Sequence, residues 1–177
     1  NVTRVFNNGP ATVTVALRVR DGNGGSDLDI LQVVVGNVSP IPNAGPDQTV
    51  SEGDPVSFNG TAFDPGANDV LTYEWDFNYD GVTFNVDATG RNVSTSYPDG
   101  PANYTVALQV TDSDNAANID TLQVQVANAP PNVNAGSNIT VVAGQPVTLD
   151  GSGTRDPAGA ADDLLTYEAD IDYDGSN

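Results

Sequence analysis

The chain has 177 residues, with 24 acids against five Arg and no Lys, His or Cys, and its formal net charge is −19. Without Cys there are no disulfides or zinc–thiolate sites, and without His or Lys the commonest general bases and amine nucleophiles are gone, so any catalysis would rest on carboxylates. The negative balance opposes nucleic acid and anionic membrane surfaces; it suits a divalent cation or a very salty medium.

In chain order, the first segment, residues 1–38, carries Ala11-Thr12-Val13-Thr14-Val15-Ala16-Leu17-Arg18-Val19, which returns 91 positions later as Ala102-Asn103-Tyr104-Thr105-Val106-Ala107-Leu108-Gln109-Val110. The second, residues 39–129, has an apolar period of two, which predicts strands. Leu71, Tyr73, Trp75 and Phe77 share one face, with Thr72, Glu74, Asp76 and Asn78 on the other; Tyr104, Val106, Leu108 and Val110 alternate with Thr105, Ala107, Gln109 and Thr111; Leu122, Val124 and Val126 alternate with Thr121, Gln123 and Gln125. Glu52-Gly53-Asp54-Pro55, Asp64-Pro65-Gly66, Asp80-Gly81 and Asp112-Ser113-Asp114-Asn115 are turn signals between these runs. The third segment, residues 130–177, repeats the opening of the second: Asn43-Ala44-Gly45 returns as Asn134-Ala135-Gly136, and the stretch Tyr73 to Gly81 as Tyr167 to Gly175. Such self-similarity means tandem small domains, one complete and two partial, joined by the short, stiff linkers Ser39-Pro40-Ile41-Pro42 and Ala129-Pro130-Pro131. About seven short alternating strands per repeat predict an all-β antiparallel sandwich. The chain opens inside one repeat and stops inside another, so a signal or anchor is expected to be settled outside this window.

The acids are placed by spacing. Asp76, Asn78 and Asp80 put oxygens at positions 1, 3 and 5 of a calcium-type loop; Gly81 follows at the sharp turn, Val82 offers a backbone carbonyl at position 7, and Asp87 stands at position 12. Asp170, Asp172 and Asp174 repeat the first half of that loop. Crowded carboxylates repel unless protonated or bound to a cation, so calcium is the expected ligand. The competing reading is a solvated acidic turn, because Asp-Gly is a common turn pair.

Gly45-Pro46-Asp47-Gln48-Thr49-Val50, Glu52-Gly53, Asp64-Pro65, Leu71-Thr72-Tyr73-Glu74-Trp75-Asp76-Phe77 and Tyr104 to Asp112 together resemble the polycystic-kidney-disease (PKD) domain, over the whole chain. The resemblance implies tandem immunoglobulin-like sandwiches in a large secreted or cell-surface protein. The sequence departs from the family pattern in a lengthened Trp75 to Gly81 stretch and in Ala169 where Trp is expected. Some PKD domains of bacterial collagenases bind calcium near the domain's leading end, and the resemblance carries Asp64 and Asp112 over as ligands. Gly66 stands where that pattern has its second acid, so Asn68 or Asp69 would have to substitute.

These features favour a structural or adhesive spacer with calcium as cofactor and neighbouring domains of the same chain as partners, outside the cell or at its surface; no catalytic role, nucleic acid partner or membrane insertion of this segment is expected. One alternative is a polysaccharide- or protein-binding module beside an enzyme, using Tyr79, Phe84 or Tyr97 as an aromatic platform. Another is a fibre subunit, since the first and last segments supply complementary halves of a sandwich, although a fragment of a longer chain accounts for them more simply. Asn-x-Ser/Thr sequons at Asn1, Asn59, Asn92, Asn103 and Asn138 would accept glycans in a host that glycosylates, while Pro40 disfavours a sixth at Asn37.

Overall fold

The computed structural model describes residues 2–66, 68–157 and 164–172, and every element assigned in it is a strand. In chain order these are β1 (Ala11–Arg20), β2 (Ser26–Val35), β3 (Ile41–Asn43), β4 (Gln48–Ser51), β5 (Pro55–Asn59), β6 (Thr61–Phe63), β7 (Thr72–Asp76), β8 (Ala88–Thr89), β9 (Asn92–Ser96), β10 (Ala102–Thr111) and β11 (Ala117–Ala127). A five-stranded sheet runs in the order β4-β11-β10-β7-β8, and three two-stranded pairs accompany it, β1-β2, β3-β6 and β5-β9. This is an all-β, immunoglobulin-like sandwich. Asp174 and Asn1 lie outside the described residues, as does Asp162.

The contacts group into two compact units. The first comprises Asn1–Gln48, Ser57–Ser94 and Tyr104–Val124; the second comprises Thr49–Val56, Thr95–Asn103 and Gln125–Asn177. In the first unit the period-two pattern does what it predicts for β10 and β11, because one row of side chains must leave water: Val106, Leu108, Val110, Leu122 and Val124 are buried. Trp75 is fully buried against Phe58, with ring centroids 5.4 Å apart, and its indole N–H donates to the Gly90 carbonyl at 2.9 Å. That bond satisfies the one polar atom of the largest core side chain. Antiparallel pairing of β10 with β7 sets Leu108 opposite Trp75 and Gln109 opposite Glu74.

Two expected outward positions are buried instead. Ala107 has no exposed surface, and Asp76, placed by alternation on the polar face, is 2 % exposed. Asp76 tolerates burial because its Oδ1 accepts from Asn78 N at 3.0 Å and its Oδ2 from Asn85 N at 2.8 Å.

The second unit is organised by a buried acid. Glu52 is 2 % exposed; Oε2 accepts from Gly100 N at 2.7 Å and Oε1 from Ala129 N at 2.8 Å. Its own N–H donates to the Ala127 carbonyl at 3.0 Å, and Gly53 N donates to the Tyr97 carbonyl at 2.8 Å. One carboxylate thus ties the turn after β4 to the loop before β10 and to the segment leaving β11. Further on, Asn132 and Arg155 form an isolated antiparallel bridge, and Asn134 N donates to Thr154 Oγ1 at 3.1 Å. Replacing Glu52 by Ala leaves two backbone N–H groups without their charged acceptor, and the expected loss is about 3 kcal/mol. Denaturant unfolding should show it as a lower midpoint at unchanged slope, with Glu52→Gln losing less.

Candidate metal centre

Asp64, Asp69 and Asp112 are the one group of three metal-ligating side chains found among the described residues, with a ligand atom of each within 4.8 Å of the others. All three belong to the first unit. Asp64 follows β6, Asp69 precedes β7 and Asp112 follows β10, so three different strands converge on the cluster.

Each acid is held by the local chain. Asp64 Oδ1 accepts from Gly66 N at 2.6 Å, a turn closed by the side chain two residues back. Asp69 N donates to the Gly66 carbonyl at 3.2 Å, and Asp69 Oδ1 accepts from Ser113 Oγ at 3.0 Å. Asp112 Oδ1 accepts from Asp114 N and Ala116 N, each at 2.9 Å, while Oδ2 accepts from the Asn37 side-chain amide at 2.7 Å. The remaining oxygens, Asp64 Oδ2 and Asp69 Oδ2, are buried and have no hydrogen-bond partner. Two buried carboxylate oxygens with no donor, beside a third carboxylate, form an electrostatically deficient site.

Gly66 makes this convergence feasible. A Cβ at position 66 would run into the Asp69 Oδ2 atom and come within 3.0 Å of Asp64 Oδ1. The position at which the resemblance expects an acid is therefore vacated, and Asp69 supplies the carboxylate from three residues further on.

The field at the cluster is negative. Desolvation, then the charges of Asp69 and Asp112, push the Asp114 carboxyl above its ordinary value of 3.8. Burial also raises Asp112, but the Asn37 amide and the Ala116 and Asp114 N–H groups outweigh it and hold its carboxyl below 3.8.

The sequence profile of the PKD domain matches residues 37–126. The chain belongs to the PKD domain family. Among solved structures, the PKD1 domain of Vibrio anguillarum Epp is 30 % identical, covering 51 % of this chain and 96 % of that one, with a TM-score of 0.39. A nucleoside hydrolase-related hypothetical protein from Saccharophagus degradans, associated with carbohydrate metabolism, is 18 % identical over 51 % of this chain and 26 % of its own, with a TM-score of 0.41. The PcdhgB3 EC1-4 structure is 18 % identical over 73 % of this chain and 35 % of its own, with a TM-score of 0.38. The chain thus spans about a quarter and about a third of those two longer chains. No curated protein matches.

The loop from Asp76 to Asp87 of this PKD domain has its carboxylates turned to the backbone. Asp80 Oδ1 accepts from Val82 N and Thr83 N, each at 2.7 Å, and the Thr83 and Val82 bonds hold its carboxyl below the ordinary value. Asp87 Oδ2 accepts from Phe77 N at 2.7 Å, and Asp87 N donates to the Trp75 carbonyl at 2.8 Å. Asn78 is half-buried and Val82 is exposed. Asp76, Asp80 and Asp87 do not come together as a metal-ligating group, unlike the expectation from their spacing, because each spends an oxygen closing a turn or bonding the backbone. Asp170 behaves as Asp76 does, accepting from Asp172 N at 3.0 Å. Of the aromatic candidates, Tyr97 is buried, so it offers no platform, and Tyr79 packs on Phe84 with centroids 6.2 Å apart. Asn59, Asn92, Asn103 and Asn138 are exposed, whereas the Asn37 amide is engaged by Asp112.

Carboxyl-detected NMR titration without divalent cations should place the Asp112 midpoint below 3.8 and the Asp114 midpoint above it. Asp112 then contributes stability that is present above pH 3.8 and lost as pH falls through its folded value; Asp114 acts oppositely, losing stability as pH rises through 3.8 to its raised value. Asp69→Asn should bring Asp114 back toward the ordinary value.

Proposed function

We propose that this segment is a non-catalytic structural or adhesive spacer of a large secreted or cell-surface repeat protein, stiffened by calcium held at Asp64, Asp69 and Asp112. The observation that carries the metal is the pair of buried, unpartnered oxygens, Asp64 Oδ2 and Asp69 Oδ2. Calcium is a hard cation that takes six to eight oxygens in flexible geometry, so three carboxylates suit it, with carbonyls and water completing the shell. Magnesium, which demands near-ideal octahedral geometry and keeps its waters, suits a site built from fixed turns less well. The spacer role rests on family membership, the repeated units and the lack of nucleophile and base residue types. PKD domains are typically extracellular, which supports the location. No helix among the described residues is long and apolar enough to cross a membrane.

A binding module for polysaccharide or protein is the alternative. It draws on Phe63, 65 % exposed, and Ile41, its partner across β3 and β6. Retention on a polysaccharide column that Phe63→Ser abolishes would favour it over the spacer.

Calorimetry tests the metal. A ligand of the native state stabilises by mass action, about 2.7 kcal/mol at a hundredfold excess over Kd. Millimolar calcium should raise Tm in the unaltered chain and in Asp80→Asn, but not in Asp64→Asn or Asp69→Asn. In calcium-free buffer Asp69→Asn should be no less stable than the parent, since it removes a repulsion. An unchanged Tm at millimolar calcium would sink the proposal.

A further inference from the structure

The β1-β2 pair repeats the residues of β10-β11 but not their burial. Leu17 and Val19 are 66 % and 61 % exposed, whereas Leu108 and Val110, 91 positions on, are fully buried. Leu31 is likewise 56 % exposed where Leu122 is 2 %. In the complete repeat β10 lies between β11 and β7; β1 pairs with β2 alone, so its other edge carries unpaired N–H and C=O groups.

The residues that would fill that edge recur in the same sequence. Tyr167, Glu168 and Ala169 repeat Tyr73, Glu74 and Trp75 of β7 at an offset of 94. They carry no assigned strand, and Tyr167 is 61 % exposed where Tyr73 is 8 %. Beside them, in the second unit, a cavity of about 360 Å³ is lined by Val133, Leu149, Thr154, Tyr167 and Ala169.

We propose that residues 166–170 of a second copy of this chain add to the free edge of β1, so that copies associate head to tail. The register is dictated by the β10–β7 pairing, Thr111 with Thr72, Val110 with Tyr73, Gln109 with Glu74, Leu108 with Trp75 and Ala107 with Asp76. Carried over, it sets Arg20 against Thr166, Val19 against Tyr167, Arg18 against Glu168, Leu17 against Ala169 and Ala16 against Asp170. Three observations select this occupant. The edge supplies main-chain bonds that any strand could use. The small Ala169 leaves room in the cavity for Leu17 where the complete repeat sets Leu108 against Trp75. Charge then chooses the partner: Gln109 contacts Glu74 at 3.5 Å in the complete repeat, and the equivalent pair here is Arg18 with Glu168, both exposed. The two segments complement each other as wholes, since residues 1–38 have three Arg and three Asp, net zero, while residues 130–177 have one Arg against eight acids, net −7. Missing from the composite are equivalents of residues 84–91, which include β8; that two-residue strand is the outermost in its sheet, so its loss does not interrupt the ladder.

The test is sedimentation velocity of the full chain over a concentration series. The mass of the unaltered chain should rise from 18.3 kDa in whole multiples. Arg18→Glu and Glu168→Arg, each at an exposed position, should each weaken association roughly tenfold by setting like charges opposite one another. An equimolar mixture of the two variants should recover it. When the two alternate along the assembly, each reversed charge faces the other variant's reversed charge, and each unaltered Arg18 faces an unaltered Glu168. A chain that stays at 18.3 kDa at all concentrations overturns the proposal. So does association that either reversal leaves unchanged, which would put the contact on another surface, and so does a mixture that fails to recover.

Discussion

An aspartate carboxylate accepting the N–H two residues further on is the interaction that most of the loops of this structure depend on. It closes the turns at Asp21, Asp64, Asp76, Asp80, Asp112, Asp150 and Asp170, with donors 2.6 to 3.0 Å away. The short side chain is what allows the bond; a glutamate would overshoot its own turn. This accounts for a composition of 21 Asp against three Glu without invoking an acidic coat. Glu52 stands apart from these turns: it reaches across to Gly100 and Ala129, a span that needs the longer arm.

Each such turn uses one carboxylate oxygen and leaves the second to its surroundings. That is why acidic spacing alone misjudges the metal. Asp76-x-Asn78-x-Asp80 satisfies a calcium-loop pattern and a chain of side-chain-closed turns equally well, and the second oxygen of Asp76 is taken by Asn85 N. The cluster at Asp64 is different because its spare oxygens meet others across the fold: Asp112 lies 48 positions from Asp64, and the approach is decided by where β6, β7 and β10 end. Nothing in a linear reading says that Gly66 opens the space into which Asp69 turns.

The strands themselves were legible. Alternation picked out Tyr73, Trp75, Leu108 and Val124 as core, because a sandwich face must bury every second residue. It failed at Asp76 and Ala107, where the opposite face is covered as well. The repeat was legible in finer detail than the strands. Asp21 and Asp112 head the same loop, each accepting from N–H groups two and four residues on, and each loop passes through a left-handed residue at the same place, Gly24 at φ +91° and Asn115 at φ +66°. Asn stands there in place of Gly because its side chain tolerates that region better than most. What repetition does not convey is burial: identical apolar residues are core in β10 and bare in β1, since burial belongs to the pairing and not to the strand.

Asn37 joins these two themes. It lies just after β2, in the segment leading to β3, and its side chain donates to Asp112 Oδ2, the oxygen that the turn does not use. A cation drawn to Asp64 and Asp69 competes with, or enlists, that same oxygen. The polar contact that fixes the linker and the charge that the cluster must neutralise are therefore on one carboxylate. Metal occupancy and the set of the segment entering β3 then cannot vary independently, and a site of this kind acts on the spacing of repeats through the linker rather than on the core, whose Trp75 and Phe58 stack is complete without it.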